Sequence, residues 1–206
     1  MLVKICGITR PEDALAAVDH GADALGFVFW PRSPRFIDPY RARAIVAELP
    51  PFVAAVGVFV NQPAAYVNGV ASLARLSAVQ LHGDEDARFA AEMTRPVIKA
   101  VSLLSDASAV NRWSKRVTLL FDAHDPVRRG GTGTTADWSG AAQLAKERRV
   151  LLAGGLTPEN VAEAIARVGP FGIDVSTGVE LSPGVKDHRR LQALFEAVSA
   201  DREESK

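Results

Sequence analysis

Short apolar runs recur along the chain at regular intervals, and they predict β-strands. Each run is rich in β-branched or other apolar residues, and polar or periodic segments separate it from the next run. Eight of them occur, near residues 2–6, 24–29, 54–60, 78–82, 97–101, 117–122, 150–153 and 172–176. Several runs carry polar residues near their carboxyl ends, where a purely structural strand would stay apolar.

The segments between these runs have helical periodicity and recognisable start signals. Pro11, Pro39 and Pro158 each stand near a predicted helix start, where proline is favoured because its missing N–H has no partner in any case. The last helix is predicted from about Asp187 to Ala200, and residues 201–206 are predicted to form a frayed, charged C-terminal tail.

Eight strands with seven intervening helices and one closing helix predict a single-domain α/β fold, a (β/α)8 TIM barrel over residues 1–200. An open doubly wound sheet shares the alternation, but the number of repeats and the lack of a dinucleotide fingerprint after the first strand favour the barrel. Two loops are long, 30–38 and 123–137. Both follow strands, so both are expected at the face where such barrels carry their active sites.

Strand alternation predicts which side chains point into the barrel. If Val3 and Ile5 face the helices, Lys4 and Cys6 face inward. The same rule predicts an interior polar set: Lys4, Cys6, Gln80, His82, Lys99, Asp122, Asp174 and Ser176. An interior salt-bridge network is the alternative explanation, because strands one and eight are neighbours and would bring Lys4 beside Asp174.

Three glycine-bearing loops follow consecutive strands and indicate a phosphate site. Gly154-Gly155 follows strand seven, Ser176-Thr177-Gly178 follows strand eight, and Gly131 lies in a glycine-rich stretch after strand six. Loops seven and eight of this fold often bind phosphate through backbone N–H groups, and glycine lets the backbone approach closely. A single glycine pair would be weak evidence, since glycine also serves tight turns.

Composition narrows the classes of function. The formal net charge is zero, which argues against a nucleic-acid surface. A single cysteine excludes an intrachain disulfide framework, and no histidine spacing indicates a metal site. The start of the chain does not have the pattern of a signal peptide, and the apolar stretch 52–60 is far shorter than the roughly 20 residues that span a bilayer. A soluble, cytoplasmic protein with no membrane partner is expected.

Eleven blocks in order resemble phosphoribosylanthranilate isomerase, an enzyme family of tryptophan biosynthesis, over nearly the whole chain. They are Lys4–Thr9, Gly21–Phe29, Ser33–Arg35, Val56–Phe59, Val79–Gly83, Leu120–Asp122, Gly130–Gly133, Asp137-Trp138, Leu152–Leu156, Asp174–Glu180 and Pro183–Asp187. One block would mean little, but this many in sequence order are specific. The resemblance implies an Amadori rearrangement of N-(5-phosphoribosyl)anthranilate to 1-(2-carboxyphenylamino)-1-deoxy-D-ribulose 5-phosphate, without a metal or organic cofactor.

The resemblance also implies roles for particular residues. Cys6 matches the family's general base and Asp122 its general acid. Arg35 matches an arginine expected to contact the anthranilate carboxylate, and Asp174 an aspartate expected beside the anthranilate. Arg32 and Arg35 flank Ser33-Pro34, so either could serve, and Arg35 is preferred because a planar guanidinium matches a carboxylate bidentately. His82 is expected at the substrate, as a proton shuttle or, more simply, as a hydrogen-bonded interior histidine.

The chemistry suits these side chains. A buried carboxylic acid with a raised pKa can protonate the furanose ring oxygen, and a thiolate can remove the C2 proton of the resulting Schiff base. Because an ordinary thiol has a pKa of about 8.5, we expect Lys4, on the same face as Cys6, to lower it.

Two rival functions share these features. Another phosphosugar barrel, such as an epimerase, an amino-aldose isomerase or an aldolase with Lys99 as Schiff-base nucleophile, is the first. A barrel that binds a phosphorylated ligand without turnover is the second. The chain is expected to act as a monomer or a homodimer.

Overall fold

Eight parallel strands close into a barrel in a computed structural model that describes residues 1–102, 110, 112–122 and 138–204. The strands follow one another around the barrel in chain order, and β1 pairs with β8 to close it. They are β1 Leu2–Cys6, β2 Ala24–Val28, β3 Ala54–Phe59, β4 Ala78–Leu81, β5 Val97–Ser102, β6 Thr118–Asp122, β7 Val150–Ala153 and β8 Gly172–Val175. The predicted TIM barrel is confirmed, and all eight apolar runs form strands.

Helices connect the strands on the outside of the barrel. They are α1 Pro11–Asp19, α2 Pro39–Ala47, α3 Ala64–Leu73, α4 Ala87–Ala91, α5 Ser139–Glu147, α6 Val161–Val168 and α7 His188–Glu204. The helix predicted between β5 and β6 lies largely outside the described residues. Within the described part of the chain, none of the helices combines the length and the apolarity needed to cross a membrane.

The helix starts test the sequence signals closely. Helix α2 begins at Pro39, and the Asp38 side chain accepts hydrogen bonds from the backbone N–H groups of Tyr40 and Arg41, as a capping residue should. Helix α6 begins at Val161, three residues after Pro158. The backbone N–H of Val161 donates to the Thr157 carbonyl at 3.0 Å, so the start predicted near Pro158 lies within one turn of the observed start. The Asn160 side chain accepts from the Thr157 N–H at 2.8 Å and donates to the Gly155 carbonyl at 3.0 Å, and both bonds hold the turn before the helix.

The core has two layers. Apolar side chains on the outer face of the strands pack against the helices, among them Val3, Ile5 and Ile173. The barrel interior contains a small apolar cluster of Leu120, Leu151 and Ala153 with Ile98 and Ala100 against it, and a second one of Cys6, Val28 and Val58. The interior apolar clusters are small because polar side chains take many of the remaining inward positions.

Lys99 was expected inside the barrel, and that prediction is wrong. Its neighbours on the same face of β5, Val97 and Val101, pack in the outer layer, whereas Ile98 and Ala100 face the interior. Apolar residues flank Lys99 on both sides, so the alternation does not determine which set faces inward. On the outer face of the barrel, the Lys99 ammonium lies 3.0 Å from Glu85 Oε2 and 5.8 Å from the centre of the Trp113 ring.

The segment after β8 contains two features that the sequence pattern did not predict. A 3-10 turn, Thr177–Val179, leads into an antiparallel hairpin of β9 Glu180–Ser182 and β10 Val185–Lys186. Helix α7 then continues to Glu204 and includes residues 201–204 of the predicted charged tail, whose fraying remains a prediction.

Candidate active site

The candidate base lies at the carboxyl end of β1, above a buried ion pair. Lys4 is fully buried, and its ammonium lies 2.7 Å from Asp174 Oδ1 across the β1–β8 pairing, in which the two residues are direct partners. Cys6 follows two residues later on the same face of β1, and it is buried as well. The interior salt bridge left open as an alternative for Lys4 therefore exists, and it lies next to the thiol.

Gly26 brings the thiol and the ammonium together. A Cβ built on Gly26, the β2 partner of Cys6, would lie 2.7 Å from Cys6 Sγ and 3.0 Å from Lys4 Nζ. Both groups thus converge on the space that a side chain at position 26 would fill. The glycine is what allows a cation to approach the sulfur inside a packed barrel.

The ionisation of the pair differs from the simple expectation. Burial raises the pKa of the Cys6 thiol above its ordinary value, while the nearby Lys4 ammonium acts in the opposite direction without overcoming it. Burial alone would lower the pKa of Lys4, but the Asp174 carboxylate and Cys6 hold that pKa above its usual value. Lys4 therefore favours the thiolate, as predicted, yet the thiol stays protonated at neutral pH in the absence of a ligand.

The candidate acid lies at the end of β6, next to a histidine from the β4 end. Asp122 Oδ2 lies 3.6 Å from His82 Nε2, and both side chains are about one-third exposed, at 29% and 35%. Gln80 is 1% exposed, and its amide nitrogen lies 2.9 Å from His82 Nδ1. With the amide nitrogen donating to Nδ1, a neutral His82 carries its proton on Nε2, toward Asp122.

Arg35 reaches the site from the loop after β2, and its guanidinium is already engaged. Arg35 Nε lies 2.9 Å from Glu180 Oε1, and Nη2 lies 2.7 Å from Glu180 Oε2. The fork predicted to bind a ligand carboxylate thus has a carboxylate of the protein on one edge. Among the described residues, Nη1 makes no hydrogen bond.

Glu180 also receives a hydrogen bond from the ammonium of Lys186, at 2.9 Å. Both residues belong to blocks that carry the family resemblance, but no function was predicted for either. The signal that could have found them is the short polar hairpin around Gly184, since a glycine between two short runs is typical of a hairpin turn.

The loops after β7 and β8 form one continuous edge. Gly154 and Gly155 have left-handed backbone angles, with φ of 91° and 67°. A Cβ on Gly178 would lie less than 2.5 Å from the Leu156 carbonyl oxygen, so the two loops pack backbone against backbone. Ser176 and Thr177 lie directly before Gly178, which brings five of the six predicted phosphate-binding residues to this edge. The sixth, Gly131, lies outside the described residues.

These elements bring a thiol with a neighbouring ammonium, a carboxyl group with a neighbouring histidine, a guanidinium and glycine-rich loops to one end of the barrel. Proton transfer at two positions of an anionic, phosphorylated ligand is the chemistry that such groups perform. Lys99, which the aldolase alternative needs inside the barrel, is not among them.

Comparison with known proteins identifies the relatives of the chain. The N-(5'phosphoribosyl)anthranilate (PRA) isomerase family matches residues 3–197. N-(5'-phosphoribosyl)anthranilate isomerase of Pelobacter propionicus is 48% identical over 204 residues, covering 98% of each chain, and that of Geotalea uraniireducens is 50% identical over 195 residues, covering 94% of this chain and 96% of the relative.

Comparison with solved structures indicates the same family. The phosphoribosyl anthranilate isomerase of Thermotoga maritima superimposes with a TM-score of 0.89 at 45% identity, covering 97% of this chain and 99% of that one. A phosphoribosyl anthranilate isomerase in complex with reduced 1-(o-carboxyphenylamino)-1-deoxyribulose 5-phosphate superimposes with a TM-score of 0.85 at 43% identity, with the same coverage. The chain therefore belongs to the N-(5'-phosphoribosyl)anthranilate isomerase family.

Proposed function

We propose that this chain catalyses the Amadori rearrangement of N-(5'-phosphoribosyl)anthranilate to 1-(2-carboxyphenylamino)-1-deoxy-D-ribulose 5-phosphate in tryptophan biosynthesis, with Asp122 as general acid and Cys6 as general base. The observation that carries the assignment of roles is the placement of these two residues. They end β6 and β1 of one closed barrel, with β7 and β8 between them. A ligand between the two strands can be approached by acid and base from different sides.

The acid step opens the sugar ring. Asp122 donates its proton to the furanose ring oxygen as the bond from that oxygen to C1 breaks, and the nitrogen lone pair forms the iminium. Asp122 becomes a carboxylate in this step. His82 Nε2, at 3.6 Å, is the neighbour that stabilises that carboxylate.

The base step removes the proton from C2. Cys6 needs to be a thiolate for this, and burial opposes ionisation in the free protein. The iminium formed by the first step brings a positive charge beside the sulfur and adds to the effect of Lys4, so the thiolate is favoured when it is needed. The electrons of the C2–H bond form the C1–C2 double bond of the enolamine as those of the C1–N double bond return to nitrogen. The enolamine gives the aminoketose when C1 gains a proton and the C2 hydroxyl loses one.

Substrate binding uses the remaining predicted residues. The loops carrying Gly154, Gly155 and Ser176–Gly178 bind the phosphate through backbone N–H groups, and Gly131 remains a prediction for the same role. Arg35 meets the anthranilate carboxylate from its Nη1 side, because Glu180 takes the other edge. Asp174, held by Lys4, lies at the end of β8 and helps to place the anthranilate.

The experiment that tests the function is turnover of freshly generated phosphoribosylanthranilate, followed by the loss of its fluorescence. Wild type should convert it rapidly, and Cys6→Ala and Asp122→Ala should each lose activity by at least about a thousandfold, as for removal of an acid or a base. Wild type without turnover would overturn the function and direct attention to other sugar phosphates. Turnover that survives Cys6→Ala would keep the reaction and reassign the base.

Assembly is the second part of this proposal, and a monomer or a homodimer is predicted. The Thermotoga maritima relative is described as dimeric. In this chain Phe52, in the loop before β3, is 96% exposed, and aromatic side chains are enriched at protein interfaces. Sedimentation analysis of wild type and Phe52→Ala distinguishes the two states and shows whether this side chain contributes to a dimer.

A further inference from the structure

We propose that Glu180 and Lys186 are positioning residues, which hold Arg35 in a fixed relation to Cys6 and thereby make the site selective for an amino sugar whose aromatic ring carries a carboxylate. This inference rests on the proposed function, since it concerns how the same site recognises its substrate. Neither residue is expected to touch the reacting atoms.

Lys186 connects the hairpin to the strand that carries the base. Its ammonium is buried, and it donates to the backbone carbonyl of Cys6 at 2.6 Å and to that of Ser176 at 3.3 Å. The third bond of the ammonium goes to Glu180 Oε1 at 2.9 Å. A single cation therefore joins the ends of β1 and β8 to the hairpin that follows β8.

Glu180 connects the same cation to Arg35. Its two oxygens bind the Nε and Nη2 groups of Arg35, while Oε1 also accepts from Lys186. Burial disfavours the charged carboxylate, but the hydrogen bond from Arg35 and the charge of Lys186 outweigh it and hold the pKa of Glu180 below its usual value. Hydrogen bonds therefore connect the Cys6 carbonyl to Lys186, Lys186 to Glu180, and Glu180 to Arg35 without a break.

The hairpin that carries both residues is itself fastened to the start of α1. Thr9 Oγ1 donates to the Gly184 carbonyl at 2.5 Å, and the backbone N–H of Lys186 donates to the buried carboxylate of Asp13 at 3.0 Å. The stem of Arg35 crosses the backbone at Gly7, where a Cβ would lie 2.7 Å from Arg35 Cδ. The Arg35 stem thus packs directly on the backbone of Gly7, and Glu180 binds one edge of the guanidinium.

A purely structural role does not require these charges. Buried ion pairs are often replaced by apolar side chains without loss of stability, because burial costs the charges their hydration. The charges orient Arg35. The bidentate contact with Glu180 fixes the plane of the guanidinium, and this fixes the direction in which Nη1 points. Without Glu180 the long arginine side chain samples several rotamers, and ordering it on binding would cost affinity.

The test compares two ligands that differ in one group. The first is reduced 1-(o-carboxyphenylamino)-1-deoxyribulose 5-phosphate, and the second is the corresponding compound made from aniline, which lacks the carboxylate. The ratio of their two inhibition constants measures what the carboxylate contributes. We expect a ratio of about 10- to 100-fold in wild type, as for a charge-assisted hydrogen bond.

Glu180→Gln removes the charge and keeps the shape of the side chain. We expect the ratio to fall to within about threefold, with the aniline-derived ligand bound about as well as by wild type. Arg35→Met should cause the same fall, and the double variant should lose nothing further, because Glu180 acts through Arg35. Leu181→Ala, an exposed position on the same hairpin, is the matched control and should keep the wild-type ratio.

The outcomes are distinct. Equal weakening of both ligands by Glu180→Gln would mean a general structural role and would overturn the inference, as would an unchanged ratio. A higher ratio would show that Glu180 competes with the ligand for Arg35, which also contradicts it. Because a ratio measured on one preparation does not depend on the folded fraction, partly folded variants remain informative. If Glu180→Gln does not fold, Lys186→Met carries the same expectation. Absence of wild-type turnover would instead overturn the proposed function.

Discussion

Lys4 and Asp174 form a buried ion pair between the two strands that close the barrel, with 2.7 Å between the ammonium and the carboxylate. Cys6 lies two residues along β1 on the same face, so the pair places a held cation next to the thiol. An ammonium anchored by a carboxylate cannot move away from the sulfur, and that distinguishes this arrangement from a flexible surface lysine. Within the pair, the Lys4 ammonium favours the thiolate of Cys6 and the Asp174 carboxylate opposes it.

The first prediction is that Lys4→Met moves the ionisation of Cys6 to higher pH. Removal of the cation leaves burial and Asp174, which raise the pKa of the thiol, against the weaker lowering effect of Lys186. Since Cys6 is the only cysteine, its rate of alkylation by iodoacetamide against pH reports this change directly. The inflection should lie at higher pH in the variant.

Lys99→Met is the matched control for that measurement. It also removes a buried lysine from a carboxylate, Glu85, but on the outer side of the barrel. Breaking either buried pair costs roughly 3–5 kcal/mol of stability. Only Lys4→Met should change the alkylation profile of Cys6, and an equal change in both variants would assign the effect to loosened packing.

The second prediction concerns the pH dependence of turnover. Because burial holds the pKa of Cys6 above its ordinary value in the free protein, the fraction of thiolate should still be rising at pH 8. We expect kcat/KM, which requires a protonated Asp122 and an ionised Cys6 in the free enzyme, to be bell-shaped, with its high-pH ionisation at the same pH as that of the Cys6 alkylation profile. A high-pH ionisation of kcat/KM that does not coincide with that of Cys6 contradicts Cys6 as the base.

The fold and the outline of the site could be predicted from the sequence because both depend on local periodicity. Alternation along β1, β4, β6 and β8 correctly brought Lys4, Gln80, Asp122 and Asp174 inward. The rule failed at Lys99, where the neighbours on both sides are apolar and the pattern contains no information about direction.

The contacts of Arg35 could not be predicted, since they depend on residues far apart in the chain. Glu180 is 145 positions away, and the bond from Lys186 to the Cys6 carbonyl spans 180 positions. No periodicity or short motif contains such a pairing. The net rise in the pKa of Cys6 could not be predicted either, because it depends on how completely the folded barrel excludes water from the thiol.

The third prediction is that Gln80 acts through His82. Gln80 is buried and its amide nitrogen contacts His82 Nδ1 at 2.9 Å, so Gln80→Met would leave the imidazole free to rotate or to change tautomer. We expect kcat to fall by roughly tenfold with little change in KM, as for a lost hydrogen bond that orients a group near the acid. A changed KM with unchanged kcat would instead place Gln80 in substrate binding.

The fourth prediction concerns the packing of the two loops, after β7 and β8, that are predicted to bind phosphate. Gly178→Ala introduces a Cβ that cannot coexist with the Leu156 carbonyl oxygen, so the loops after β7 and β8 have to move apart. Affinity for ribose 5-phosphate as an inhibitor should fall by at least about tenfold, because backbone N–H groups bind phosphate only in one arrangement.

Gly69→Ala supplies the control for Gly178→Ala. Gly69 lies in α3, is exposed, and a Cβ there has nothing within 4 Å. The same substitution should leave ribose 5-phosphate binding unchanged and stabilise the protein by about 0.5–1 kcal/mol, the usual gain of alanine over glycine inside a helix. The thermal midpoints of both variants show whether they are folded. If folded Gly178→Ala keeps wild-type affinity, the phosphate does not bind at this edge. The glycine-rich stretch after β6 is then the remaining candidate for phosphate binding.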